Sequence, residues 1–145
     1  MNDELEQLFT DGQLKCMEGD LDAGIAIFSS ILEKQPMAKA HQARAACYAK
    51  KECFEDAMKD IEAAIQIEPQ NAKLFYHKAI LLMGKELTEE AFTAIDKAIG
   101  LSPEVPAFYV LRSKLFEKIG DEENASIDMH KATTLQKAQS KLVDW

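Results

Sequence analysis

Residues 38–69 read AKAHQARAACYAKKECFEDAMKDIEAAIQIEP, and the spacing inside this stretch returns before and after it. Small residues and larger apolar residues stand there at fixed offsets: Ala45, Tyr48, Ala57, Ile61, Ala64 and Pro69. The same offsets return further along the chain at Ala79, Leu82, Ala91, Ile95, Ala98 and Pro103. Each small residue is matched by a small one and each apolar residue by an apolar one, which indicates a repeat.

The pattern continues once more in each direction. The same shift toward the C-terminus gives Ser113, Phe116, Ala125, Met129, Ala132 and, where the proline is lost, Lys137. A backward shift that is one position shorter gives Gly12, Lys15, Gly24, Phe28, Ile31 and Pro36, with a mismatch at Lys15. Four copies therefore cover nearly the whole chain. We predict that one small residue of each copy lies where its two helices touch: Gly24, Ala57, Ala91 and Ala125.

This pattern resembles the tetratricopeptide repeat family, whose unit of about 34 residues is a helix–turn–helix with small, apolar and proline residues at set positions. The match is clearest for Ala57-x3-Ile61, Ala91-x3-Ile95 and Ala125-x3-Met129. The family's Trp position holds Leu8, His41, Phe75 and Tyr109, and its Leu position holds Asp11, Arg44, Lys78 and Arg112. The resemblance implies an all-α fold, a right-handed superhelical solenoid of antiparallel helix pairs (A and B) with about eight helices.

We expect a single domain over residues 1–145, with repeats at about 5–37, 38–71, 72–105 and 106–139 and a short C-terminal helical extension. The expected helices span about 3–18, 21–34, 38–51, 54–67, 72–85, 88–100 and 106–119, and the last one follows a cap at Asp121. Thr88 is expected to cap the sixth helix, because Glu89 and Glu90 follow it. The last helix should continue through residues 137–142, because QKAQSKLVDW contains no helix breaker. Leu142 or Trp145 should pack against protein, because an exposed apolar strip is unusual for a monomer.

Composition limits the classes of function. The 145 residues are 47% hydrophobic and 29% charged, which is typical of an ordinary globular chain. A formal net charge of -8 disfavours binding to nucleic acid and to anionic membrane surfaces. No apolar run reaches the roughly 20 residues that insertion into a membrane requires. The N-terminal MNDELEQLF is acidic where a secretory signal would be basic, so we expect a cytoplasmic protein, with the nucleus as the alternative.

The cysteines and histidines give no sign of a metal site, a cofactor or catalysis. Cys16, Cys47 and Cys53 include no CxxC pair and have no histidine at ligand spacing, so we expect reduced thiols, with Cys47 in the core. The three histidines are far apart in the sequence and fall on different helix faces: His41, His77 and His130. We therefore predict that the chain is not an enzyme.

The resemblance implies that the A helices line a concave groove that binds a protein or peptide partner. The predicted groove residues are Phe9, Gln13, Met17, Lys39, Gln42, Ala43, Lys73, Tyr76, His77, Ile80, Met83, Val110 and Lys114. Several of them are apolar, which indicates an adaptor or scaffold that holds an amphipathic helix or an extended peptide. For Ile80 and Leu111 a position in the core is an equally good interpretation.

Two alternatives remain open. In the first, the chain is a co-chaperone with a divergent carboxylate clamp: of the matching positions Phe9, Gln13, Ala43, Lys73 and His77, only Lys73 keeps the family's residue. In the second, the chain is an assembly element that self-associates, or docks to a following domain, through its C-terminal helix. The second alternative rests on the absence of an obvious polar cap at the end of the array.

Overall fold

The computed structural model describes residues 2–143, with side chains as far as residue 141. This range contains eight helices, and it contains no strand. The helices are α1 (Asp3–Met17), α2 (Leu21–Lys34), α3 (Ala38–Lys50), α4 (Phe54–Ile67), α5 (Ala72–Gly84), α6 (Thr88–Leu101), α7 (Pro106–Lys118) and α8 (Glu122–Val143). The packing expected for Leu142 or Trp145 concerns side chains outside the described residues.

The helix boundaries lie within one residue of those expected from the sequence, and side-chain caps explain several of them. The Asn2 side chain accepts a hydrogen bond from the Leu5 amide at 2.9 Å, and Asp121 accepts one from the Asn124 amide at 3.1 Å. The cap expected at Thr88 is wrong, because Thr88 is already helical and the capping residue is Leu87, which has no side-chain hydrogen bond there. Helix α8 extends to Val143, as the absence of a breaker predicted.

Each A helix turns into its B helix through a residue in the left-handed conformation. These residues stand at equivalent positions of the four repeats: Gly19 (φ 88°), Glu52 (φ 63°), Glu86 (φ 61°) and Gly120 (φ 80°). Glycine adopts this conformation freely, whereas glutamate does so at a cost. The tight turn is therefore common to all four repeats, and it forms even at Glu52 and Glu86, where the residue type does not favour it.

The chain divides into two compact units, which are described separately. The first unit, Met1–Gln70, contains α1 to α4, and the second, Asn71–Trp145, contains α5 to α8. In the first unit α2 packs against both α1 and α3, and in the second α6 packs against both α5 and α7. A B helix thus fills the space between two A helices, which is how repeats of this kind bury their apolar faces.

The small residues predicted to lie at the contacts between paired helices are all buried. Gly24 is buried, Ala57 and Ala91 are 0% exposed and Ala125 is 4% exposed. The first repeat also has glycine at position 12, where there is no room for a side chain. A Cβ atom on Gly12 would lie only 2.8 Å from two ring carbons of Phe28.

The second and fourth repeats also share a buried ion pair that the sequence analysis missed. In the first unit, the Arg44 guanidinium donates to both carboxylate oxygens of Asp60 at 2.8 and 2.7 Å and to the Ser29 hydroxyl at 3.0 Å. Asp60 is only 3% exposed, and it also lies 2.9 Å from His41 Nδ1. The hydrogen bonds to Asp60 raise the pKa of Arg44 above its ordinary value. This group ties α2, α3 and α4 together.

The second unit repeats the arrangement. Arg112 donates to both carboxylate oxygens of Asp128 at 2.8 and 2.9 Å and to Asp96 at 3.0 Å, so it joins α6, α7 and α8. The hydrogen bonds to Asp128 raise the pKa of Arg112 above its ordinary value.

The third repeat lacks this ion pair, because it has Lys78 and Ala94 at the equivalent positions. There the structure has a cavity of about 360 Å³, lined by Phe75, Lys78, Leu82, Glu90, Thr93, Ala94 and Lys97.

The expectation that the cysteines are reduced thiols is wrong for two of them. Cys16 and Cys47 form a disulfide between α1 and α3, with Cα atoms 6.2 Å apart, and Cys53 is free. Cys47 is 1% exposed, which confirms its place in the core. The two cysteines are 31 residues apart, and they meet because α1 and α3 pack side by side. Local spacing gave no sign of this proximity.

Helix α8 has polar residues at two positions where the earlier B helices have apolar ones, although Ile127 and Met129 of α8 are also exposed. At one repeat position the earlier B helices have the partly buried residues Ile25, Met58 and Phe92, whereas α8 has the exposed Ser126. At another they have Leu32, Ile65 and Ile99, whereas α8 has the exposed Thr133. The α8 surface at these positions is therefore more polar than that of the earlier B helices.

Candidate partner-binding site

The predicted groove residues divide between the two units and differ in exposure. Those that are exposed are Gln13, Met17, Lys39, Lys73, Ile80 and Lys114. Those that are partly buried are Gln42, Ala43, Tyr76, His77, Met83 and Val110, and Phe9 is buried.

Phe9 lies in the core of the first unit rather than on its surface. It is 5% exposed, and its ring packs edge-to-face against Phe28 with centroids 5.4 Å apart. The Lys39 ammonium lies 4.3 Å from the Phe9 ring centroid, which is a cation–π contact. Phe9 therefore holds α1 in the fold and orients Lys39, and its ring is not available as an anchor for a partner.

The A helices of the second unit carry an apolar row. Tyr76, Ile80 and Met83 stand at i, i+4 and i+7 of α5, which places them on one helix face. The Tyr76 ring packs against the rings of Phe108 on α7 and His77, with centroids 5.3 and 5.5 Å apart. The contact with Phe108 thus holds the Tyr76 end of this row against α7. We call the surface of Lys73, Tyr76, His77, Ile80, Met83, Val110 and Lys114 the α5/α7 face.

Ile80 stands at a position where the other repeats have no large apolar residue. The equivalent positions of the other repeats hold Gln13, Ala46 and Lys114, and all of these are exposed. Ile80 is 37% exposed, whereas Leu111, for which a core position was equally plausible, is 5% exposed. Leu111 is thus a core residue, and Ile80 is an apolar side chain at a position that otherwise faces solvent.

Lysines and a neutral histidine complete the α5/α7 face. Lys73 and Lys114 are exposed. The pKa of His77 is lowered below its ordinary value, first by burial and second by the positive charge of Lys73. His77 is therefore neutral near pH 7, where it can donate or accept a hydrogen bond.

The lowered pKa of His77 predicts a pH dependence of stability. Because the unfolded chain binds a proton at His77 more readily than the folded chain does, the free energy of unfolding should fall as the pH decreases below about 6.5. The variant His77→Gln should lose this part of the dependence. Urea denaturation at pH 7.5, 6.5 and 5.5 measures both proteins, and identical pH profiles would contradict the prediction.

Two further observations on the described residues concern metal ions and membranes. Within residues 2–143, no group of three or more His, Cys, Asp and Glu side chains is placed to hold a metal ion. In the same part of the chain, no helix combines the length and the apolar character needed to cross a membrane.

Comparison with known proteins agrees with this geometry. The sequence model of the tetratricopeptide repeat family matches residues 38–71, the range of the second repeat. The chain is 23% identical over 133 residues to the BBSome complex member BBS4 homolog of Drosophila melanogaster, covering 91% of this chain and 27% of that protein. It is 27% identical over 118 residues to the Protein STIP1 homolog of Dictyostelium discoideum, covering 77% of this chain and 21% of that protein. The chain thus spans about a quarter of the length of these curated relatives.

Solved structures share the fold. A crystal structure of MamA superposes with a TM-score of 0.84 at 17% identity, covering 94% of this chain and 81% of that one. A structure of MamA from Desulfovibrio magneticus RS-1 superposes with a TM-score of 0.82 at 23% identity, covering 93% of this chain and 77% of that one. The chain therefore has the all-α, solenoid-type fold of tetratricopeptide repeats, and the resemblance found in the sequence is confirmed. Proteins of this fold are generally interaction modules rather than enzymes, which supports a role as a protein–protein interaction scaffold.

Proposed function

We propose that the chain is an adaptor that holds a segment of a partner protein on the α5/α7 face. The observation that carries this proposal is Ile80, which is 37% exposed at a position where the other repeats have Gln13, Ala46 and Lys114. The polar or small residues at the equivalent positions indicate that the repeat folds without a large apolar side chain there. The place of Ile80 beside the ordered Tyr76 ring suits it to contact an apolar side chain of a partner.

The chemistry of the face indicates the kind of segment that it takes. Tyr76, Ile80 and Met83 offer one apolar strip along α5, which suits a helix or an extended peptide with apolar residues on one side. Lys73 and Lys114 add positive charge in a chain whose formal net charge is -8. Acidic residues beside the apolar anchors of the partner would therefore be favoured, and the affinity should fall with rising salt.

A matched pair of variants tests the proposal. Ile80→Glu places a charge on the α5/α7 face, and Ile127→Glu places the same charge on α8, at a side chain that is 57% exposed. A partner captured from a lysate of the source cells by the unmodified chain is titrated with each variant. We expect Ile80→Glu to weaken binding at least about 10-fold and Ile127→Glu to leave it unchanged within about twofold.

The result that contradicts the proposal is equal affinity of both variants for every partner. Circular dichroism of the variants shows whether each remains helical, so that a loss of binding is not mistaken for a loss of fold. Lys73→Glu combined with Lys114→Glu forms a second arm, which should reduce the salt dependence of binding.

The other candidate functions have less support. A carboxylate clamp would need cations at positions where Phe9 is buried and where His77 is neutral near pH 7. Self-association through α8 would have to use Ile127 and Met129, which are exposed, because Ser126 and Thr133 are polar where the earlier B helices are apolar. A cytoplasmic location, with the nucleus as the alternative, remains a prediction.

A further inference from the structure

The disulfide of the first unit is packed in a space that the first repeat alone provides. Where the other repeats have Ala57, Ala91 and Ala125, the first has Gly24. A Cβ atom on Gly24 would collide with Cys16 Sγ, and it would lie 3.4 Å from Cys47 Sγ and 3.3 Å from the Gly12 carbonyl oxygen. The missing methyl group therefore makes room for the two sulfur atoms between α1, α2 and α3. The bond is part of how this repeat packs.

The two sulfur-bearing residues differ in access. Cys47 is 1% exposed, whereas Cys16 is partly exposed at the end of α1. Cys16 is therefore the more accessible of the two to a small thiol or disulfide, and Cys47 is enclosed. Paired cysteines of which one is accessible and the other is buried next to it suit a stepwise exchange of thiols and disulfides.

We propose that Cys16 and Cys47 form a reversible redox lock, in which Cys16 reacts with small-molecule disulfides of the glutathione class and Cys47 resolves the product. The Cys16 thiolate attacks the small disulfide, forms a mixed disulfide and releases one small thiol. Cys47 then attacks Cys16 Sγ, forms the protein disulfide and releases the second small thiol. The two cysteine sulfurs are oxidised, the small disulfide is reduced, and the two cysteine protons pass to the two released thiolates. Excess small thiol reverses both steps.

The lock controls how firmly α1 is held. Besides the disulfide, α1 is held to α3 by the cation–π contact of Lys39 with Phe9 and by the apolar cluster of Leu5, Phe9, Ala40 and Cys47. The cross-link joins positions 31 residues apart, which should favour the folded unit by restricting the unfolded chain. Reduction should therefore loosen α1 more than any other helix of this unit. This inference does not depend on partner binding to the α5/α7 face.

The test uses the full chain in glutathione buffers that range from fully reduced to fully oxidised. After acid quenching, free thiols are alkylated and counted by intact mass. We expect three alkylated thiols in the reduced limit, one in the oxidised limit and a reversible transition between them. The oxidised chain should melt about 5–10 °C higher than the reduced chain. Amide hydrogen exchange in residues 3–17 should be at least about 10-fold slower in the oxidised chain.

Two variants separate the lock from general thiol chemistry. Cys53→Ser should keep the transition and the melting shift, and Cys16→Ser should lose both while circular dichroism shows that it remains helical. Three alkylated thiols at every glutathione ratio would overturn the proposal, because the bond would then not form. A single alkylated thiol at every ratio, including the reduced limit, would overturn its reversibility.

Discussion

Replacing Arg112 with methionine should lower the free energy of unfolding by about 3 kcal/mol. Methionine keeps most of the length of the side chain and removes the guanidinium. Asp128, which is 3% exposed, then keeps its carboxylate without the two hydrogen bonds that Arg112 donates at 2.8 and 2.9 Å. Breaking a buried ion pair on one side costs roughly 3–5 kcal/mol. The partial exposure of Arg112 places the expected value at the lower end of this range.

Urea denaturation measures the effect, and two further variants show its origin. Lys114→Met makes the same substitution at an exposed position of α7, and it should change stability by no more than about 0.5 kcal/mol. Arg112→Met combined with Asp128→Leu removes both charges and should recover most of the loss, because no buried carboxylate is left unpaired. If Arg112→Met unfolds at the same urea concentration as Lys114→Met, the ion pair does not hold α7 and α8 together.

The helices could be predicted to within one residue because local rules set their ends. Prolines, small turn residues and capping side chains such as that of Asp121 indicate where helices begin and end. Each boundary can also be compared with the equivalent positions of the other repeats. The contacts between A and B helices were predictable for the same reason. Ala57 and Ala91 occupy equivalent positions in successive repeats, and both are 0% exposed.

The ion pairs were missed although the sequence contains a signal for them. Arg44 and Asp60 are 16 residues apart in the sequence, and so are Arg112 and Asp128. Comparing polar residues between repeats, as was done for the small and apolar ones, would have found this pair in the second and fourth copies. The disulfide has no such signal, because the distance between Cys16 and Cys47 depends on how α1 and α3 pack rather than on any spacing.

Phe9 shows why the candidate site was harder to predict than the fold. The equivalent residues Gln42, Tyr76 and Val110 are partly buried, so this position lies at the edge between core and surface. In the first repeat Gly12 leaves space beside α1, and the Phe28 ring fills it. The Phe9 ring packs against the Phe28 ring, with centroids 5.4 Å apart, and Phe9 is therefore buried in the core. A helical pattern predicts the helix face on which a residue lies, but how deeply its side chain is buried depends on the size of the neighbouring side chains.

Phe28→Ala should cost about 3–5 kcal/mol, which is the usual range for removing a buried phenylalanine. Phe28 is 1% exposed, so nearly all of its ring area would be replaced by a cavity in the core of the first unit. Phe28→Ile should cost less, because the second and third repeats have Ile61 and Ile95 at this position. Urea denaturation gives both values, and a loss below about 1 kcal/mol for Phe28→Ala would mean that the ring is not part of the core.

A second substitution tests whether Gly12 and Phe28 are matched to each other. In the unmodified chain, Gly12→Ala should be destabilising by about 1–2 kcal/mol, because the new Cβ would lie 2.8 Å from the Phe28 ring. In the Phe28→Ile background the ring is gone, and the higher helix propensity of alanine should make the same substitution stabilising by up to about 1 kcal/mol. The second repeat has this combination in Ala45 and Ile61. The sign of the effect should therefore reverse between the two backgrounds. If Gly12→Ala destabilises both chains equally, the two positions are independent, and the tight packing of the first repeat has another cause, such as the contact with Ile27 at 3.2 Å.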